Sequence, residues 1–307
     1  MNGRIILTLI IFLRMLLRYA VGRAMLKREG RRDVILELEA GKWSAEIAPD
    51  EGGNIVGLRF DGKNVLAPPR PDNTDPCLVG SPLLLPANRT AGGAFHFGGR
   101  VWRLPVNESV SGAHIHGLLR SAAFAVLERD GASARLACEN RGEIYPFPFR
   151  MEVVYTLSES GVSARYALTN LSDGEMPYSF GLHTTFIQPE RFCVPLGEKQ
   201  ERDGHNLPTG RMLPLNEEER AYVRGTHSRG RVVSGYFTAA GDTACIGDFL
   251  FRAAGFDHWI LYNARGEKGI LCVEPQRGCV NALNLPGCPV LAGRETARFE
   301  TRIERVE

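Results

Sequence analysis

From Asp33 onward, apolar and polar residues alternate in short runs broken by glycine- and aspartate-containing turns. Period-two alternation marks strands with one buried and one solvated face. Residues 34–39 and 43–48 alternate around Gly41, and residues 54–60 end at Asp61-Gly62. Gly98-Gly99, inside Phe95-His-Phe-Gly-Gly-Arg-Val-Trp102, predicts a hairpin. Residues 124–129 and 134–139 flank Asp130-Gly131, and residues 149–157 and 162–170 flank Ser158-Glu-Ser-Gly161. Successive hairpins mean antiparallel sheet. Further strands are expected at 232–238, 259–263, 269–274 and 297–304, and the best helix candidate is 216–222. Residues 72–90 and 191–214 read as long, proline-containing loops suited to walling a cleft. Neither a break in composition nor an internal repeat follows Asp33. The pattern therefore predicts a single all-β domain over 33–307, a large antiparallel β-sandwich.

The length of 307 residues and a hydrophobic content of 44% are enough for a full core. A net charge of +2 hides an asymmetry: residues 1–32 carry eight Lys/Arg against one Glu, and the remainder carries 29 basic against 34 acidic residues. The body thus offers no basic patch for nucleic acid. In the leader, residues 5–13 are apolar, but Arg14, Arg18 and Arg23 stop the run short of the ~20 residues a stable membrane span requires. The arginines follow the apolar part, which is the wrong order for a secretory signal. Arg14 and Arg18 would share one face of a surface-lying helix. The preferred reading gives the leader 1–32 doubtful status, with Met25 as the true start. Seven cysteines, odd in number and without a Cys-x-x-Cys pair, argue against a disulfide framework or zinc knuckle and point to a reducing, cytoplasmic setting.

Against this background a few polar residues stand in apolar or glycine-rich surroundings. His183 follows a strand-like run in a segment bounded by Pro177 and Pro189, at a strand end or loop where an imidazole can face a cleft and exchange protons near neutral pH. Asn88-Arg89 follows the apolar run 82–87, and His114 and His116 would share one side of an extended chain. Asp257 opens a strand, and Glu274 ends one, held at its edge by Pro275. Taken singly, Arg89 could be a surface ion pair, His116 a core hydrogen bonder, Asp257 a turn former and Glu274 a strand terminus.

Together these segments resemble the aldose 1-epimerase (galactose mutarotase-like) family. The resemblance lies in Asn88-Arg89 with Gly93-Ala-Phe95 and Gly99, in His116-Gly117, and in Gly181-Leu-His183 with Phe186. It continues in Asp257-His258 and in Glu274-Pro-Gln276 with Asn281-Ala282, in order over roughly residues 43–305. It implies a galactose mutarotase-like supersandwich that interconverts the α and β anomers of a free monosaccharide with neither cofactor nor metal. It further implies His183 as acid, Glu274 as base and His116 as support near the ring oxygen, with Asn88, Arg89, Asp257 and Gln276 on substrate hydroxyls. Thr184-Thr185 and Ile187-Gln188 depart from the family pattern, as does the lack of a Trp soon after His116-Gly117. These departures leave the sugar open. Arg120 raises a sugar phosphate as an alternative substrate. A catalytically silent sugar binder, a metal site from His114, His116, His183 and Glu274, and a glycosidase using Asp257 and Glu274 are the remaining alternatives.

Overall fold

The structure is a computed structural model and describes residues 34–71 and 75–306. The leader 1–32, including Met25, lies outside the described residues. From Ile35 the chain forms one compact unit dominated by strands. Its largest sheet has nine strands. The first four are Ala125–Arg129, Ser133–Asn140, Phe149–Ser158 and Gly161–Asn170; these are continued by Thr296–Arg305, Phe249–Ala254, Thr243–Ile246, Arg191–Cys193 and Thr226–His227. The second large sheet runs Pro208–Leu213, Leu196–Arg202, Ser234–Ala239, His258–Tyr262, Ile270–Arg277, Phe180–Leu182 and Leu83–Leu84. Thr185–Ile187 also pairs with Ile270–Arg277. A four-stranded sheet is built from Leu36–Ala40, Trp43–Ala48, Asn54–Phe60 and Lys63–Asn64. The pairings are antiparallel, as the successive hairpins predict.

Alternation decides which side chains meet. In Phe149–Ser158, Phe149, Met151, Val153, Tyr155 and Leu157 are buried while the residues between them are half-exposed or exposed. Their buried faces meet the second sheet through cross-sheet aromatic pairs: Phe180 lies 5.0 Å from Phe299, and Phe251 lies 6.0 Å from Trp259. This layer between the sheets is the core of the sandwich. The predicted helix is Glu217–Arg224, opened by a capping box in which Asn216 accepts from the Glu219 amide and Glu219 accepts from the Asn216 amide.

Two expectations are corrected. Residues 191–214 are sheet rather than loop, with strands at Arg191–Cys193, Leu196–Arg202 and Pro208–Leu213. Pro208–Leu213 is an edge strand exposed or half-exposed throughout, which removes the alternation that would reveal it; Arg191–Cys193 is only three residues long, and the ladder of Leu196–Arg202 is broken by register shifts. The strand carrying Glu274 also continues through Pro275 to Arg277. Val273 donates its amide to the Thr184 carbonyl, so by alternation Pro275 faces the same neighbour. By register Pro275 stands opposite Leu182, in the stretch where the ladder is interrupted between the Gly181–Gln276 and Thr185–Cys272 pairs. No amide is needed opposite that gap, which removes the usual objection to a strand proline.

Candidate active site

The site lies on the outer face of the second large sheet. Trp259, Leu261 and Val273 point into the core, so their alternating neighbours point away from it. Register places Tyr236, Ile260 and Glu274 in one row across three strands, and Ser234, Tyr262 and Cys272 in a second row. His183 enters from the interruption beside Glu274, its backbone fixed by an amide hydrogen bond to the Pro82 carbonyl.

A second layer covers this face. Arg89–Thr90 pairs with His114–Ile115, and the His116 amide donates to the Asn88 carbonyl, which brings Arg89 and His116 side by side. Asn88 and His116 adopt left-handed backbone conformations with φ of 53° and 64°. Gly117 follows at φ 62°, where a Cβ would stand 2.1 Å from the Leu85 carbonyl oxygen. Only glycine lets the two segments approach so closely. Asn281 ties down the other edge: its amide donates to the Arg89 carbonyl and its Oδ1 accepts from the Ala91 amide.

Between the layers opens a cleft of about 530 Å³, with His116, His183 and Glu274 among its lining residues. His183 Nε2 stands 3.5 Å from Glu274 Oε1, and both side chains are buried. The His116 and His183 rings meet edge to face at 5.0 Å. Arg89 clasps Glu108 through two hydrogen bonds of 2.8 and 2.6 Å. It also donates to the Tyr236 hydroxyl at 2.8 Å and to Asn88 Oδ1 at 3.3 Å.

Burial sets the protonation. It pushes the Glu274 carboxyl up to about 8, against the nearby Arg89 charge, and the Asp75 carboxylate raises it further. It brings the His183 imidazole down to about 4, although Asp75 opposes the shift. His116 is held well below the usual imidazole range, first by burial and then by the charges of His183, Arg89 and Arg120. At neutral pH the His183–Glu274 pair therefore holds one proton between an acceptor and a donor.

The expected residues divide. His183, Glu274, His116, Arg89 and Asn88 converge on the cleft, whereas Asp257 and Gln276 do not line it. Both fall beyond the Glu274 row, on the side away from the cavity. Asp257 instead accepts from His258 Nδ1 at 2.6 Å, Arg277 Nη1 at 2.6 Å and the Gly278 amide at 2.8 Å. Gln276 is buried and donates to the Gly278 carbonyl. His114 and His116 part company, because the left-handed turn at His116 ends the extended chain; the His114 ring is buried, with Nδ1 against the Pro105 carbonyl at 2.7 Å. His114 is thereby separated from the other three residues of the alternative metal set. Among the described residues, the group with metal-ligand proximity is His183, Cys272 and Glu274. Arg120 does not line the cleft, and its Nε is buried without a hydrogen-bond partner. Sequence reasoning missed Glu108, Arg202, Tyr236 and Arg265, all of which line the cavity.

A two-sheet sandwich carrying a buried imidazole and carboxyl at the floor of a polar cleft defines the class of this protein. A family model described as aldose 1-epimerase matches residues 35–303, and the chain belongs to that family. It is 30% identical over 184 residues to the uncharacterized protein YihR of Escherichia coli (strain K12), a match covering 57% of this chain and 59%, less than two thirds, of that relative. Among solved structures it resembles a galactose mutarotase-like protein from Clostridium acetobutylicum, with a TM-score of 0.80, 24% identity and coverage of 88% of this chain and 94% of that one. It also resembles the GalM/aldose epimerase homologue from C. elegans, with a TM-score of 0.74, 14% identity and coverage of 90% and 100%. These likenesses establish the fold as galactose mutarotase-like.

Proposed function

We propose that the protein is a cofactor-independent mutarotase, interconverting the α and β anomers of a free aldose. The observation that carries this reading is the 3.5 Å approach of His183 Nε2 to Glu274 Oε1 on one cleft. Ring opening moves one proton onto the ring oxygen and takes another from the anomeric hydroxyl. Rotation about C1–C2 and the reverse transfers then give the other anomer. The step needs one proton donor and one acceptor at once, which a pair holding a single proton supplies. Family resemblance makes His183 the donor and Glu274 the acceptor. Burial favours the proton on Glu274. Sugar hydroxyls bound against the carboxylate would favour its charged form and return the proton to His183. His116, neutral and edge-on to His183, supports the ring oxygen, while Asn88 and the clasped Arg89 orient hydroxyls. His183→Asn should abolish accelerated equilibration of freshly dissolved pure anomers followed by polarimetry. Wild-type rates in that variant would remove His183 from the mechanism.

A further inference from the structure

Away from the cleft, two thiols meet on the nine-stranded sheet. All seven cysteines are free, and Cys193 and Cys245 are half-buried. Where Arg191–Cys193 pairs with Thr243–Ile246, Phe192 stands opposite Ile246 and Cys193 opposite Cys245. Phe192 and Ile246 belong to the core, so the two cysteines share the outer face. The Gly247 amide donates to the Arg191 carbonyl, and by alternation Cys193 and Cys245 are the next hydrogen-bonded pair of that ladder. Cα atoms of such a pair stand about 5.5 Å apart, inside the ~4.4–6.8 Å range of a disulfide. The Cβ atoms of a cross-strand pair, about 4.5–5.5 Å apart, must close by roughly 1 Å to make the bond. Arg191–Cys193 is three residues long and last but one in the sheet, so it can take up that adjustment. The thiols are hydrogen-bonded to each other already.

A reagent can reach them. On the side away from Cys245, Cys193 adjoins Gly225, where a Cβ would lie 3.9 Å from the Cys193 Cβ and the glycine supplies no side chain as cover. Arg191, on the same face, donates Nη2 to the Gly225 carbonyl at 3.3 Å, which sets a guanidinium beside the opening and favours an anionic reagent. Burial pushes the Cys245 thiol up to about 11, and the hydrogen bond with Cys193 adds to the rise, so Cys193 is the thiol placed to begin exchange. We infer that Cys193 and Cys245 form a reversible oxidation site, closing to a disulfide by exchange with a low-molecular-weight disulfide such as oxidised glutathione. The Cys193 thiolate attacks one glutathione sulfur, the S–S bond breaks, and the first glutathione leaves as a thiolate that takes up the proton Cys193 gave up. Cys245 then loses its proton and attacks the Cys193 sulfur of the mixed disulfide, releasing the second glutathione as a thiol. Two cysteine thiols are oxidised and one glutathione disulfide is reduced. The bond closes a loop of about fifty residues that includes Leu196–Arg202 and Ser234–Ala239, the strands that bring Arg202 and Tyr236 to the cleft wall. Closing that loop restricts the unfolded chain and stabilises the fold.

The test incubates the full chain, reduced beforehand, in glutathione buffers of increasing oxidised fraction. Remaining thiols are alkylated, and digested peptides are mapped by mass spectrometry without reduction. A peptide joining Cys193 to Cys245 should appear within the monomer, lighter by two hydrogens than its separate halves, and should vanish when excess reduced glutathione is added. The oxidised protein should melt about 5–10 °C above the reduced one. Cys193→Ser and Cys245→Ser should each melt close to reduced wild type and gain nothing from oxidised glutathione. Glutathione left on Cys193 without closure, other cysteines cross-linking while this pair stays reduced, or a link that leaves the melting temperature unmoved overturns the inference. The same rise in melting temperature in either serine variant overturns it as well. The peptide map on wild type decides the matter by itself if a variant fails to fold.

Discussion

Glu274→Gln removes a proton site while keeping the side chain's volume, and it should alter both catalysis and stability in ways the geometry dictates. With His183 near 4 and Glu274 near 8, the pair carries two protons in acid, one across the interval and none in base. Only the one-proton state offers a donor and an acceptor together. Wild-type kcat/KM should trace a bell with limbs near those values, whichever group holds the shared proton. Glu274→Gln should lose about 10²- to 10⁴-fold at the optimum. Stability follows from the sign of each shift. Glu274 keeps its proton in the folded state over the window from 4.5 to about 8 where the unfolded chain has released it, so stability falls as pH rises. His183 is neutral in the folded state from about 4 to 6.5 where the unfolded chain is protonated, so its contribution rises with pH. The two offset one another up to 6.5. From 6.5 to 8 Glu274 acts alone, and at 1.36 kcal/mol per pH unit the decline is about 2 kcal/mol. Urea unfolding at both pH values should show this loss in wild type and little of it in Glu274→Gln. Equal losses in the two proteins, or undiminished mutarotation by the variant, would refute the reasoning.

Three further outcomes are expected. Glu108→Gln frees Arg89 from its bidentate partner and should cost about 1–3 kcal/mol in denaturant unfolding while raising KM for the sugar; an unchanged KM would separate Arg89 from substrate binding. Gly117→Ala places a methyl 2.1 Å from the Leu85 carbonyl at a left-handed φ, so it should yield a protein with a lowered melting temperature and a displaced His116; wild-type melting and activity would contradict the described contact. Asn216→Ala removes the helix cap and should cost about 1 kcal/mol, read by urea unfolding, without altering mutarotation.

The sandwich was legible because its central strands obey alternation and its turns are marked by glycine. Residues 149–157 and 162–170 pair about the turn that Ser158-Glu-Ser-Gly161 predicts. His183 was legible as an imidazole at a strand end, and it stands between two short strands. Less visible were features decided by neighbours in space. Pro275 reads as a terminator because the sequence does not reveal the gap opposite it. Asp257, expected on substrate hydroxyls, and Glu274, expected as base, both read along the chain as carboxylates at strand ends, but register places one in a hydrogen-bond hub and the other in the cleft row. Arg202 and Tyr236 carry no local mark at all. Their shared face follows from the pairing of Leu196–Arg202 with Ser234–Ala239, which brings residues more than thirty positions apart together.

The Ile270–Arg277 strand is buried from Ile270 through Gln276, while Pro208–Leu213, at the margin beside Arg202, is exposed or half-exposed throughout. On the proposed mutarotase reading, proton chemistry is anchored where a change of side chain disturbs packing on both faces, while the cleft reaches outward to a rim where replacement disturbs little. If that reading holds, descendants of such a scaffold, or variants selected in the laboratory, can acquire new sugars by altering the periphery and keep the buried His183–Glu274 pair intact.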